Sequence, residues 1–264
     1  MSLRTLVCAA LVLAFWTQPA YAISDGTPDF DHPNVGALLV EFDPVGDPRA
    51  YEVSCSLSLL SPVHALTAAH CVSWGEGEGY SADNLAVTFD QDASTNPATI
   101  DVTDYAIHPD AFALTSYPLD MAVLTLASPV VGIDPIELPE PGFLNEAAAQ
   151  GGLRGHSFVQ VGYGYVPGDR GRPFEPIALP GLRLQTTSPF AALTTSFVKL
   201  LANTHATGEG GACFVDSGSP TFYARGSNLA VAMPAGGDRW CRAMDKNQRL
   251  DLPEARAFLD AFTD

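Results

Sequence analysis

Short runs rich in β-branched and aromatic residues, each closed off by Gly, Pro or Asp, recur along this chain and limit what it can fold into. They occupy residues 35–42, 51–60, 85–89, 99–107, 121–126, 158–161 and 229–233. Many short strands with frequent turn signals argue for an all-β barrel or sandwich. No internal repeat of about 20 to 50 residues interrupts the pattern. The stretch Leu138-Pro139-Glu140-Pro141-Gly142 does break it near mid-chain, so a link between two β units is expected there. The exception to the β character is the end of the chain. Asp251 is placed to cap a helix with Pro253 in its first turn and Glu254 at its third position, and Ala255, Phe258, Leu259 and Phe262 recur at helical spacing.

The first 22 residues read as an export leader. Arg4 supplies the charged start, an apolar run from Leu6 to Trp16 follows, and Ala20-Tyr21-Ala22 is a small-x-small cleavage site. A run of about eleven residues is too short to span a bilayer. No later stretch reads as a membrane span, so a secreted protein, extracellular or periplasmic and without membrane insertion, is expected. Removal of the leader takes Cys8 with it and leaves Cys55, Cys71, Cys213 and Cys241. An even set in an exported chain favours disulfides, and sequence alone leaves three pairings open. The remaining 242 residues carry 12 Lys and Arg against 30 Asp and Glu, a net charge of −18. Such a surface repels nucleic acid and anionic membranes.

Two motifs carry chemistry. Thr67-Ala68-Ala69-His70-Cys71 presents an imidazole, and Val215-Asp216-Ser217-Gly218-Ser219-Pro220 presents a hydroxyl. A hydroxyl is a weak nucleophile until an imidazole takes its proton, and a carboxylate that fixes the imidazole tautomer completes the arrangement. Asp120 stands at the mouth of the apolar run Met121-Ala122-Val123-Leu124-Thr125-Leu126, 50 residues after His70 and 97 before Ser217. His32, His64, His108, His156 and His205 lack such contexts and read as surface or structural residues. An α/β-hydrolase requires Gly-x-Ser-x-Gly and the order Ser, Asp, His; here Val215 and Ser219 flank Ser217 and the order is His, Asp, Ser. Neither a His-Glu-x-x-His run nor closely paired cysteines mark zinc, and no Asp-x-Asp-x-Asp-Gly loop marks calcium. No metal and no cofactor is expected.

The order His, Asp, Ser and the Ala-Ala-His-Cys and Asp-Ser-Gly-x-Pro contexts resemble the trypsin/chymotrypsin-like serine proteases, whose triad is a worked case in enzymology. The resemblance implies two six-stranded antiparallel β-barrels followed by a C-terminal α-helix. The expected division is a signal peptide at 1–22, a barrel at 23–138 carrying His70 and Asp120, a barrel at 139–250 carrying Ser217, and the helix at 251–264. It also implies the pairings Cys55–Cys71 and Cys213–Cys241. Two further bridges common in vertebrate relatives are absent, which points to a sparse, bacterial-type member.

Roles follow from the same resemblance. Ser217 is the nucleophile, His70 the base and Asp120 the orienting acid of a monomeric endopeptidase acting on protein or peptide substrates. The oxyanion hole falls to the backbone N–H groups of Val215 and Ser217. Gly211 falls at the base of the substrate pocket, where it offers no charge and leaves an apolar preference; Asp245, four residues past Cys241, could instead supply an acid from the opposite wall. Ile23-Ser24-Asp25-Gly26 resembles the activated terminus of relatives, so the Ile23 ammonium is expected to pair with Asp216. Gly162-Tyr163-Gly164 resembles the Gly-Trp-Gly of the second barrel and reads as a tight turn with an aromatic plug. Two departures stand out. The usual Gly-Asp-Ser-Gly-Gly-Pro has become Val215-Asp216-Ser217-Gly218-Ser219-Pro220, and a β-branched residue is uncomfortable if the hole needs φ > 0 there. The strand usually reading Val-Ser-Trp-Gly here includes Met233 and Pro234, which removes a backbone donor. These departures feed the alternative of a catalytically impaired or silent homologue serving as a protein-binding module.

Overall fold

The structure, a computed structural model, describes residues 23–24, 26–41, 51–75, 78–113, 119–165 and 181–263. The expected leader, Asp25, Phe42 and Asp264 lie outside the described residues. Strands in chain order are β1 Thr27–Pro28, β2 Val35–Glu41, β3 Tyr51–Ser61, β4 His64–Thr67, β5 Ser73–Gly75, β6 Glu78–Gly79, β7 Leu85–Thr88 and β8 Ile100–Ile107. They continue with β9 Ala122–Leu126, β10 Ser157–Gly162, β11 Leu184–Leu193, β12 Phe197–Leu201, β13 Thr221–Phe222, β14 Ala230–Gly237 and β15 Met244–Arg249. Among the described residues three α-helices, α1 Phe143–Ala149, α2 Thr204–Thr207 and α3 Pro253–Leu259, punctuate the second half.

Six strands close a first barrel in the order β2-β3-β4-β9-β8-β7. The second sheet runs β11-β10-β13-β14-β15-β12 with β1 added on β11, and pairing of β11 with β12 closes it. Read around the ring as β10-β11-β12-β15-β14-β13, the second barrel repeats the connectivity of the first. Every pairing between these strands is antiparallel. Closure removes the unpaired edges that short, turn-rich strands would otherwise expose. The two barrels are those of the chymotrypsin-like fold, as the resemblance implies.

Their interiors differ. The first is apolar, built on Leu38, Leu57, Leu59, Leu66, Val87 and Leu124, all buried. The second holds a smaller apolar cluster around Leu144, Phe158, Val198 and Leu200. Beside it lies a buried polar network in which Asn247 Oδ1 accepts from Gln160 Nε2 at 2.9 Å and Thr221 Oγ1 at 2.8 Å. Ser188 Oγ donates to Gln160 Oε1 at 2.7 Å. Buried polar groups persist only when paired in this way.

The chain does end in a helix, α3, extended by a 3₁₀ turn over Asp260–Phe262, with Ala255 and Leu259 in the core. Its cap is not Asp251. Leu252 occupies the capping position without a side-chain bond. Asp251 is buried and bound at 2.8 Å through each oxygen by Arg249 Nε and Nη2, and it also accepts the Leu144 N–H at 2.9 Å. A buried guanidinium demands a carboxylate more strongly than an exposed helix end does. Among the described residues no helix is long and apolar enough to cross a membrane.

Candidate active site

Strand register brings the first two candidate residues together. In the β4/β9 ladder Thr67 lies opposite Ala122, and continuing it past both strand ends sets Asp120 across from Ala69, beside His70. His70 follows on a 3₁₀ turn, Ala69–Cys71. Its Nδ1 lies 2.6 Å from Asp120 Oδ2 and its backbone N–H donates to Asp120 Oδ1 at 3.0 Å. This two-point grip leaves the proton on Nδ1 and the lone pair on Nε2. The Cys55–Cys71 disulfide ties β3 to this turn, and its sulfurs and an imidazole nitrogen of His70 lie within 4.8 Å of one another. Sulfurs joined to each other are not thiolate ligands, so this spacing is not that of a metal site.

Ser217 and His70 line one cavity of about 620 Å³. Among the described residues no hydrogen bond joins Ser217 Oγ to His70 Nε2. Catalytic hydrogen bonds are often long in the absence of substrate and tighten when it binds.

The loop before Ser217 is held from the other barrel. Ser56 on β3 donates its Oγ to the Val215 carbonyl at 3.0 Å and accepts the Tyr163 N–H at 2.9 Å, while its own N–H donates to the Ser217 carbonyl at 3.1 Å. Thr67 Oγ1 donates to the Ser56 carbonyl at 2.9 Å. Held in this way, Val215 has φ +74°. Both carbonyls are engaged, and among the described residues the N–H groups of Val215 and Ser217 have no acceptor. Val215 and Ser217 both line the cavity. Two unspent donors beside a hydroxyl can receive an oxyanion. Sequence reasoning missed Ser56 and Thr67, since a small polar residue within a strand carries no signal of the partner it meets across a barrel interface.

Asp216 is fully buried beneath this loop. Its Oδ1 accepts the Gly164 N–H at 2.8 Å and its Oδ2 the Cys213 N–H at 2.9 Å. A Cβ on Gly162 or Gly164 would fall 2.3 Å from a carboxylate oxygen, so these two glycines make room for the acid. Loss of hydration pushes its pKa up to about 7, against the pull of those two N–H groups, and the nearby Asp245 adds to the rise. Tyr163 between the glycines is a buried plug whose hydroxyl donates to the Asp90 carbonyl at 2.6 Å. Burial pushes its pKa up to about 12.

Ile23 is buried against Leu184. Next to it, Ser24 Oγ donates to the Gly211 carbonyl at 3.1 Å and accepts the Gly211 N–H at 2.9 Å. No hydrogen bond joins Ile23 to Asp216 among the described residues; in the chain as it stands Ile23 N is a peptide nitrogen. Gly211 and Asp245 sit behind the cavity wall and do not line it. Asp245 Oδ2 accepts the Ala212 N–H at 3.0 Å, and Oδ1 accepts from Asn247 Nδ2 at 2.7 Å. Burial raises its pKa to about 6. Ala212, Cys213, Phe214, Pro234, Ala235, Gly236 and Cys241 form much of the wall, with Asp238 and Arg239 adding charge. The Cys213–Cys241 disulfide joins its two sides, and the Pro234 carbonyl accepts the Gly218 N–H at 3.0 Å.

A family model, Trypsin, matches residues 44–243. The chain belongs to the trypsin family. Members of this family are serine proteases acting on proteins and peptides, and the double barrel, the order of the three motifs and both disulfides accord with membership. The matched span contains His70, Asp120 and Ser217. A comparison with curated proteins gave no match.

Proposed function

We propose that this trypsin-family protein is a secreted serine endopeptidase. Ser217 Oγ attacks the scissile carbonyl and His70 Nε2 takes its proton. Asp120 holds the imidazole with Nδ1 protonated and steadies the imidazolium that forms. The Val215 and Ser217 N–H groups receive the oxyanion. His70 then protonates the departing amine, and water enters to hydrolyse the acyl-enzyme by the reverse path. The observation that carries this reading is the grip of Asp120 on both His70 nitrogens, ring and backbone, in a cavity shared with Ser217.

The mostly apolar wall supports a preference for apolar side chains before the cleaved bond, since Asp245 lies behind Ala212 with both oxygens engaged. Release of the leader would free the Ile23 ammonium, and Asp216, buried with a raised pKa, is a carboxylate that a neighbouring cation would restore to its ionised form.

A fluorophosphonate should label the processed protein at Ser217. Either Ser217→Ala or His70→Ala should lower turnover by on the order of 10⁶, because the members of such a unit fail together. The silent-homologue reading draws on the strained Val215 and the unmade Ser217–His70 bond. Folded, processed protein that takes no label would establish that reading instead.

A further inference from the structure

The peptide between Phe214 and Val215 carries one of the two N–H groups assigned to the oxyanion, and its carbonyl is bonded to a neighbouring segment. The Phe214 carbonyl accepts the Tyr165 N–H at 2.8 Å, in an isolated antiparallel bridge. The side chains reinforce that bridge, for the rings of Tyr165 and Phe214 stack with centroids 5.7 Å apart and planes 19° from parallel. We propose that Tyr165 is a positioning residue for the oxyanion hole, holding this peptide with the Val215 N–H turned toward the reacting carbonyl.

A trans peptide points its N–H and its C=O in opposite directions, so fixing the carbonyl fixes the donor. The donor has a reason to turn away. Rotating this peptide by half a turn would carry the φ of Val215 from +74° to a negative value, where a β-branched residue is relaxed. Glycine at this position would feel no such pull. Valine therefore favours the orientation in which its N–H leaves the hole, and that bias must be opposed. Ser56 holds the carbonyl of Val215 itself, which belongs to the next peptide along. Tyr165 holds the peptide that carries the donor.

The segment around Tyr165 is anchored well enough to resist. Tyr163, Gly164 and Tyr165 donate successive N–H groups to Ser56 Oγ at 2.9 Å, to Asp216 Oδ1 at 2.8 Å and to the Phe214 carbonyl at 2.8 Å. One short run is thus tied to the first barrel, to the buried acid and to the loop before Ser217. Tyr165 is half-buried, and it lines the cavity together with Phe214, His70 and Ser217. Turning the peptide would break the bridge that aligns the two rings, and an aromatic pair of this kind shifts such an equilibrium by about fivefold.

This role rests on the endopeptidase reading, which labelling of the wild type by a fluorophosphonate tests separately. Tyr165→Ala keeps the backbone N–H and removes the stack. It should lower kcat about fivefold with KM little changed. It should weaken binding of a peptidyl trifluoromethyl ketone, whose adduct with Ser217 places an oxyanion in the hole, by a similar factor. Tyr165→Phe keeps the stack and should recover most of both losses. Phe214→Ala removes the stack from the other side, should match Tyr165→Ala, and serves in its place if that variant fails to fold. The deciding measurement repeats Tyr165→Ala in a Val215→Gly background, where the peptide has no strain to relieve and the loss should shrink below about twofold. An equal loss in the valine and glycine backgrounds, a change confined to KM, or unaltered affinity for the ketone would each overturn the proposal. Wild-type protein that takes no label would overturn the endopeptidase reading and this role with it.

Discussion

Val215 pairs the least suitable side-chain shape with a backbone conformation that the site demands. A β-branched residue at φ +74° costs about 1–3 kcal/mol relative to a relaxed backbone. The surrounding bonds sustain it, because Ser56 holds the carbonyl of Val215 and the carbonyl of Ser217 at once. Glycine would adopt the same angle without penalty, though it would forfeit up to about 1 kcal/mol to the greater freedom of the unfolded chain. Val215→Gly should therefore stabilise the protein by about 1 kcal/mol, a rise of about 2–4 °C in melting midpoint for a chain of this size. Turnover should not fall, since the N–H stays in place. Thermal unfolding of the two proteins decides the matter, and a lowered midpoint would show that the valine side chain contributes packing that outweighs its strain. The tension at this residue was legible in the sequence, because the motif around Ser217 fixes which residue must turn. The residue opposing it was not.

Ser56 belongs to the element scale, because it makes β3 of the first barrel the brace for a loop of the second. It is fully buried and accepts the Tyr163 N–H while donating to Val215. Ser56→Ala would leave the buried Tyr163 N–H and the half-buried Val215 carbonyl without their partner, at a cost of about 1–3 kcal/mol for the buried group. The expected outcome is a loss of stability by denaturant titration together with a fall in kcat that exceeds any rise in KM, since the loop would lose its hold on the hydroxyl and the oxyanion donors. A stability loss with unchanged kcat would confine Ser56 to a packing role. Strands that are near-continuous apolar runs, such as β2 and β9, were readable in advance. Strand β15, Met244–Arg249, was not: Asp245, Asn247, Gln248 and Arg249 are all buried, and the polar face that carries Asp245 and Asn247 meets Ala212, Gln160 and Thr221, partners far along the chain. Hydrophobic periodicity sees water-facing and network-facing polar residues as the same thing. Pro189 likewise masked β11, and α1 carried no cap by which to recognise it, with Gly142 at its start.

At the scale of the whole molecule, two β-barrels of the same connectivity meet over one buried acid, and the N-terminal segment reaches the same region through the Ser24–Gly211 bonds. In the uncut chain Asp216 has no cation among its bonded partners, and burial holds its pKa near 7, well above its ordinary value of 3.8, with Asp245 raised to about 6. The folded state then binds protons that the unfolded state has already released. Stability is greatest where both acids are protonated and falls as pH rises from about 4 to about 7. An ammonium at Ile23 would favour the ionised carboxylate and remove the part of this slope that belongs to Asp216. The uncut protein should therefore lose denaturant resistance between pH 4 and pH 7, and Asp216→Asn should flatten that loss. Protein beginning at Ile23 should show the shallower profile without mutation, and one extra residue before Ile23 should restore the steep one and sharply reduce activity. Paired denaturation curves across that pH range, on cut and uncut protein, read the ion pair directly. Superimposable profiles would mean that the ammonium does not reach Asp216 and that processing acts by some other route.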